Sequence, residues 1–201
     1  MIQSFRCADT AELFAGRFVP SFANIRAVGF RKLRMLNEAM SLQFLRSPPG
    51  NRLEMLGGDR KGRYSASTDS GESALFGRMT APRLSRSLTI TEDNNMARFE
   101  GGMPPIHPGE ILREEYLVPL GMSANALALA LRVTPARIND IVREQRGITP
   151  DTALRLARYF GGDARSWMNL QVTHDLKIAQ RDHGERIAAE VVPRDGATHP
   201  G

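Results

Sequence analysis

The sequence predicts a mainly α-helical protein: a five-helix domain in the second half, built on a helix-turn-helix pair, preceded by an incomplete α/β segment. Three observations carry this. Residues 123–149 hold two apolar helical repeats split by a capped break; the apolar spacing up to residue 46 is helical; and strand signals occur only near 51–56 and 63–67.

In the first half, Phe14, Phe18, Phe22, Ile25, Val28, Leu33, Leu36 and Phe44 recur at three- and four-residue spacings among arginines, which predicts helices over 10–16 and 21–46. Ser47, Pro48, Pro49 and Gly50 stop the second helix. A strand from Asn51 to Leu56, the turn Gly57-Gly58-Asp59 and a second strand from Arg63 to Ser67 follow. Residues 67–103 are polar and glycine-containing without strand alternation, and are expected to be a disordered linker.

From Pro104 the pattern becomes regular. Pro108 opens a helix through about Val118 with Ile111, Leu112, Tyr116 and Leu117 inward, and Pro119 breaks it. Ser123 caps the next helix, Ala124 to Leu131. Arg132 and Val133 form a short break, then Thr134 caps a helix that starts at Pro135 and runs to about Glu144. Leu127, Leu131, Val133, Ile138 and Ile141 form the seam of this pair, with small Ala128 at the close approach. Thr149 and Pro150 start a fourth helix, to Phe160, with Ala153, Leu154, Leu156, Ala157 and Phe160 inward. Gly161 and Gly162 end it, and Asp163 caps a fifth, to about Gln180. Residues 182–201 are expected to be a loose tail.

The outward side of the second helix of the pair is polar, and a major groove accepts one helix whose side chains read base edges. Thr134, Ala136, Arg137, Asn139 and Asp140 are the base-reading candidates. Ser123, Asn125, Arg132, Arg143, Arg146 and Thr149 are the phosphate-holding ones. Two core helices with a solvated outer face would show a similar seam, so the seam alone does not separate the two readings.

Composition bounds the answer without giving it. Of 201 residues, 41% are hydrophobic and 24% charged, as in ordinary globular proteins. The lone Cys7 excludes an internal disulfide, the N-terminus lacks a secretory apolar segment, and no apolar run spans a membrane; the reading is cytoplasmic with no membrane partner. The net charge of +5 is misplaced for a DNA argument: residues 1–106 carry 15 basic against 10 acidic residues, and residues 107–201 carry 12 of each. A local stripe of Arg132, Arg137, Arg143 and Arg146 must serve instead. The four histidines lack metal-ligand spacing and the glycine pairs are turn signals, so no catalytic residue, metal or cofactor is assigned.

Two resemblances add to this reading. Residues 104–181 resemble the HigA family of antitoxins, small XRE-type helix-turn-helix repressors. The carriers are His107 to Leu112, Arg137 to Ile141, Arg146 to Thr149, Thr152 to Ala157 and Trp167 to Gln171. The resemblance implies a sequence-specific repressor of its own operon within an addiction module. It also implies a homodimer on double-stranded operator DNA that neutralises a HigB-type toxin. Trp167 and Leu170 then have two readings, closing the monomer core or meeting their symmetry mates. Arg132 departs from the glycine that many such turns use, so its backbone must tolerate a Cβ.

Residues 1–66 resemble the start of a HigB-type toxin, of the RelE/ParE-like messenger-RNA-cleaving ribonucleases. Met1 to Phe5, Arg31-Lys32-Leu33, Pro48 to Leu53 and Gly58 to Ser65 carry the likeness. Lys61 takes the place of a phosphate-holding base, whereas Glu54 stands where the family has histidine, and the closing strands with their Asp-Tyr-His end are missing. One codon choice for Leu84 to Thr91, read two nucleotides later, gives Val-Glu-Ile-Val-Asp-Tyr-His-stop, which suggests a toxin gene fused by frameshift to the next gene. The domains expected are thus 1–66, an incomplete toxin fragment; 67–103, an out-of-frame linker; 104–181, the DNA-binding domain; and 182–201. The function expected is a DNA-binding antitoxin, not an enzyme. The alternative is a toxin–antitoxin fusion that retains ribonuclease activity in its first half. The helical unit, whose stripes can close on one another, is expected to stand without that first half.

Overall fold

The computed structural model describes residue 2 and residues 7–55, 63–67, 79–80 and 104–193, the strand residues by their backbone alone. The protein is mainly helical. In the first half, α1 spans Ala8–Phe14, a 3-10 turn Pro20–Ile25, α2 Arg26–Glu38 and α3 Leu42–Arg46. The single helix expected over 21–46 is thus broken. Pro20 favours a tight opening turn, and the second break, at Ala39 to Ser41, is made by residues far along the chain. Met40 donates its N–H to Ser166 Oγ at 2.9 Å instead of to its own helix, and Ser41 accepts from Phe44 N at 3.2 Å as the cap of α3.

Strands β1 (Arg52–Met55) and β2 (Arg63–Ser67) pair antiparallel, Arg52 facing Ser67 and Met55 facing Tyr64. Glu54, at the histidine position of the toxin likeness, faces Ser65. A short β3, Met79–Thr80, adds to the other edge of β2 and falls inside the segment expected to be structureless. The rest of that linker, Lys61 and residues 194–201 lie outside the described residues.

The second half opens with α4, Pro108–Ile111, where the His107 ring accepts from Gly109 N at 3.0 Å. A Cβ on Gly109 would meet the Ile141 carbonyl oxygen at 1.8 Å, so only glycine lets α4 approach so closely. A π-helical turn, Leu112–Leu117, and α5, Val118–Leu120, continue the helix past the expected stop at Pro119. The wide turn re-registers the backbone bonds, and Pro119 falls early in a fresh turn where no donor is needed. Gly121, at φ 58°, ends it. Then come α6 (Ala124–Leu131), α7 (Pro135–Val142), α8 (Pro150–Phe160) and α9 (Ala164–Glu190). The expected loose tail is helical to Glu190: residues 185–190 are mostly good helix formers, and only Pro193, which disfavours helical backbone before it, brings a stop.

The seam of the helix pair is buried as its spacing implied: Leu127, Ala128, Ile138 and Ile141 are fully enclosed, Leu131 nearly so, and Val133 is half-buried. Leu154, read as inward, is exposed instead, because α8 turns Thr152, Ala153 and Leu156 to the core.

The helical half does not close on itself alone. Leu13, Phe30, Leu33, Met35 and Phe44 belong to the same buried cluster as Tyr116, Leu156 and Trp167. Phe44 meets Trp167 edge-on, centroids 5.6 Å apart. Arg31 bonds Glu115 at 2.9 Å and Glu110 at 3.2 Å, and Lys32 pairs with Glu115.

Candidate nucleic-acid interface

The helix-turn-helix is held by short-range bonds that fix the angle of α6 to α7. Ser123 Oγ accepts from Ala126 N at 3.1 Å and caps α6. At its other end Arg132 takes φ 55°, ψ 48°, the left-handed conformation where glycine is usual, and the Arg132 and Val133 amides donate to Leu129 O and Ala128 O at 3.1 and 3.0 Å. The Cβ is tolerated there at a cost of about 1–2 kcal/mol. Thr134 occupies the cap of α7 by its backbone only. Its side chain makes no capping bond and is exposed.

On α7, Thr134 and Ala136 are exposed, and Arg137, Asn139 and Asp140 are half-buried. Asn139 Nδ2 donates to Asn125 Oδ1 at 2.7 Å and to Pro135 O at 2.8 Å, tying α7 to α6 across their outer rim. A base-reading candidate and a phosphate-holding one are thereby brought into direct contact. Arg137 donates to Asp151 Oδ2 at 2.8 Å, and the same carboxylate takes Arg155 Nε at 3.1 Å. Arg155 in turn reaches Leu131 O at 2.9 Å, at the end of α6. The carboxyl of Asp151 is held below its ordinary range by Arg155 first and Arg137 second.

Arg143 and Arg146 are exposed at and beyond the end of α7, and Arg132 is exposed before its start. Thr149 is exposed but its hydroxyl serves α8 as a cap, accepting from Thr152 N at 3.4 Å. Trp167 and Leu170, the dimer candidates, are fully buried within the single chain, Trp167 against Phe44 and Tyr116. The sequence reading passed over Asp151 and Arg155, although an Asp-to-Arg pair at i,i+4 in the first turn of a proline-started helix is a visible signal. It also passed over Glu144, left-handed at φ 64° and bonded by Arg113 at 3.3 Å. The arrangement is a short polar helix raised on a closed seam, flanked by exposed arginines and helix N-termini, with its longest side chains already oriented by protein partners. Among the described residues no helix is long and apolar enough to cross a membrane.

Fold and site define a helix-turn-helix protein, and residues 112–167 match the helix-turn-helix family model. Virulence-associated protein I of Dichelobacter nodosus is 74% identical over 80 residues, which are 40% of this chain and 74% of that protein. Antitoxin HigA-1 of Vibrio cholerae serotype O1 is 32% identical over 72 residues, 36% of this chain and 68% of that protein. A structure of Pseudomonas aeruginosa antitoxin HigA with the higBA promoter is 53% identical, covering 44% of this chain and 97% of that one at a TM-score of 0.43. The chain belongs to the HigA-type antitoxin family of helix-turn-helix proteins.

Proposed function

We propose that this chain is a sequence-specific DNA-binding antitoxin of the cytoplasm that represses its own operon as a homodimer and belongs to a module with a HigB-type toxin. The observation that supports it most is the outer face of α7: Thr134, Ala136, Arg137, Asn139 and Asp140 lie on one helix flanked by Arg132, Arg143 and Arg146. Docking is electrostatic first. The exposed arginines and the amides opening α6 and α8 hold phosphates, releasing counterions, and Arg137 and Asn139 then read bases. Reading adenine needs both the amide donor and the oxygen of Asn139, so Asn139 exchanges its bond to Asn125 for the base, and Arg137 likewise exchanges Asp151 for guanine. Asp151 and Arg155 are positioning residues in this scheme: they hold the Arg137 guanidinium extended before DNA arrives.

Residues 1–66 are, on this reading, a toxin remnant joined by frameshift, and they contribute no nuclease. The test is a gel shift of the full chain on DNA upstream of its own gene. Specific retardation that weakens with salt at a log–log slope of about −0.9 per neutralised phosphate supports the reading, and indifference to that DNA at low salt ends it.

A further inference from the structure

Besides the outer side of α7, the π-helical turn and the start of α9 form a second surface with its own chemistry. Glu110 and Glu115 supply acid, Tyr116 and Trp167 an aromatic wall, and Asp163, Ser166 and Asn169 a polar rim. Every one of these groups is engaged by the segment from α2 to residue 51, through partners at least 69 residues apart along the chain. Arg31 and Lys32 meet the acids, Phe44 stands on Trp167, and Ser41 and Ser47 bond Asp163 and the Tyr116 hydroxyl. Met40 N bonds Ser166, and the Glu38 carbonyl accepts from Asn169 at 3.2 Å.

Two features mark this contact as a docked interface rather than the inside of one domain. Glu110, Glu115 and Tyr116 are presented at or beside a π-helical turn, a distortion that concentrates at functional sites. The two buried side-chain atoms without a hydrogen-bond partner among the described residues, Arg34 Nη2 and Trp167 Nε1, belong one to the arm and one to this face. A domain core satisfies nearly all such atoms.

We infer that this face is a protein-docking site for a basic helix followed by a phenylalanine-bearing turn, that residues 26–51 occupy it in cis, and that they close it to any free protein of that chemistry. Tethering gives the arm an effective concentration of the order of millimolar, so a free competitor displaces it only when it binds far more tightly or when the tether is cut. The side-chain hydrogen bonds of the α7 candidates go to residues 125–151, and none goes to residues 26–51. The inference does not rest on the DNA reading.

The experiment uses the full chain with a protease site inserted after Arg86. After complete cleavage the two halves of the wild type should elute together at micromolar concentration. Phe44→Asp should separate them and Phe44→Leu should keep them joined. A labelled peptide of residues 20–51 in tenfold excess should exchange into the cleaved protein and leave the uncleaved chain unlabelled. Wild-type halves that part on cleavage, Phe44→Asp halves that stay together, or equal labelling of cut and uncut protein would each overturn the inference. Operator binding is read on the same samples: its loss with the halves still joined counts against the DNA reading and leaves the docking face supported.

Discussion

Replacing Glu115 with alanine should be among the most damaging single changes available in this protein. Its carboxylate is 6% exposed and receives both Arg31, at 2.9 Å, and Lys32, which is itself 5% exposed. Removing it leaves two largely buried cations without the carboxylate they share. Breaking a buried pair in this way costs about 3–5 kcal/mol, and the lower end applies because Arg31 keeps Glu110 and Lys32 keeps Asn51. With a urea m-value of about 2 kcal/mol/M, a loss near 3 kcal/mol moves the midpoint down by roughly 1.5 M. The companion variant removes charge from both sides: Glu115→Leu with Lys32→Met deletes the pair and fills the space with apolar atoms, and should return to within about 1 kcal/mol of the wild type. Urea melts followed by helicity measure both. A single variant that loses under about 1 kcal/mol, or a double variant weaker than the single, would refute the claim that burial of these charges is what makes Glu115 indispensable.

Burial, aided by the nearby charge of Arg34 and opposed by Glu38, brings the Lys177 ammonium down to about 8. The unfolded chain therefore holds more protons than the folded one above that value, and stability should rise from about pH 8 toward pH 10. Beyond that, Tyr116, whose ionisation burial strongly opposes, should reverse the trend. Lys177→Met should flatten the rise in melts taken across this range, and an unchanged slope would contradict the assignment. Arg132→Gly should gain about 1 kcal/mol by relieving its left-handed backbone, while weakening operator binding at low salt through the lost charge, both readable on one preparation. Expression of the full chain should not arrest growth, because Arg31 and Lys32, basic residues of the toxin-like helix, are committed to Glu110 and Glu115; arrest that Lys61→Ala abolishes would restore the nuclease reading.

The parts of the structure visible in the sequence are those set by neighbours in the chain. Caps at Ser123, Thr149 and Asp163, the stop at Gly161 and the seam residues Leu127, Ile138 and Ile141 all follow from spacing and local chemistry. The break at Ala39 to Ser41 depends on Ser166 and Asp163, more than 120 residues away, and no periodicity reports such a bond. Leu154 satisfies the inward pattern of α8 yet faces out, since a short helix offers two apolar stripes and packing selects one. At the DNA face, residue types were readable but their commitments were not. That Asn139 holds Asn125, and that Arg137 is shared with Asp151 and Arg155, are consequences of the angle between α6 and α7 and of where α8 begins.

Competitive titration of the full chain with its own upstream DNA, comparing the wild type with Arg137→Ala and Asn139→Ala, tests the central claim most directly. Each variant should keep wild-type helicity, lose about 1–3 kcal/mol on the specific site, and bind unrelated DNA as before, because base contacts specify while phosphate contacts position. Both variants binding the operator as tightly as the wild type would show that α7 does not read DNA.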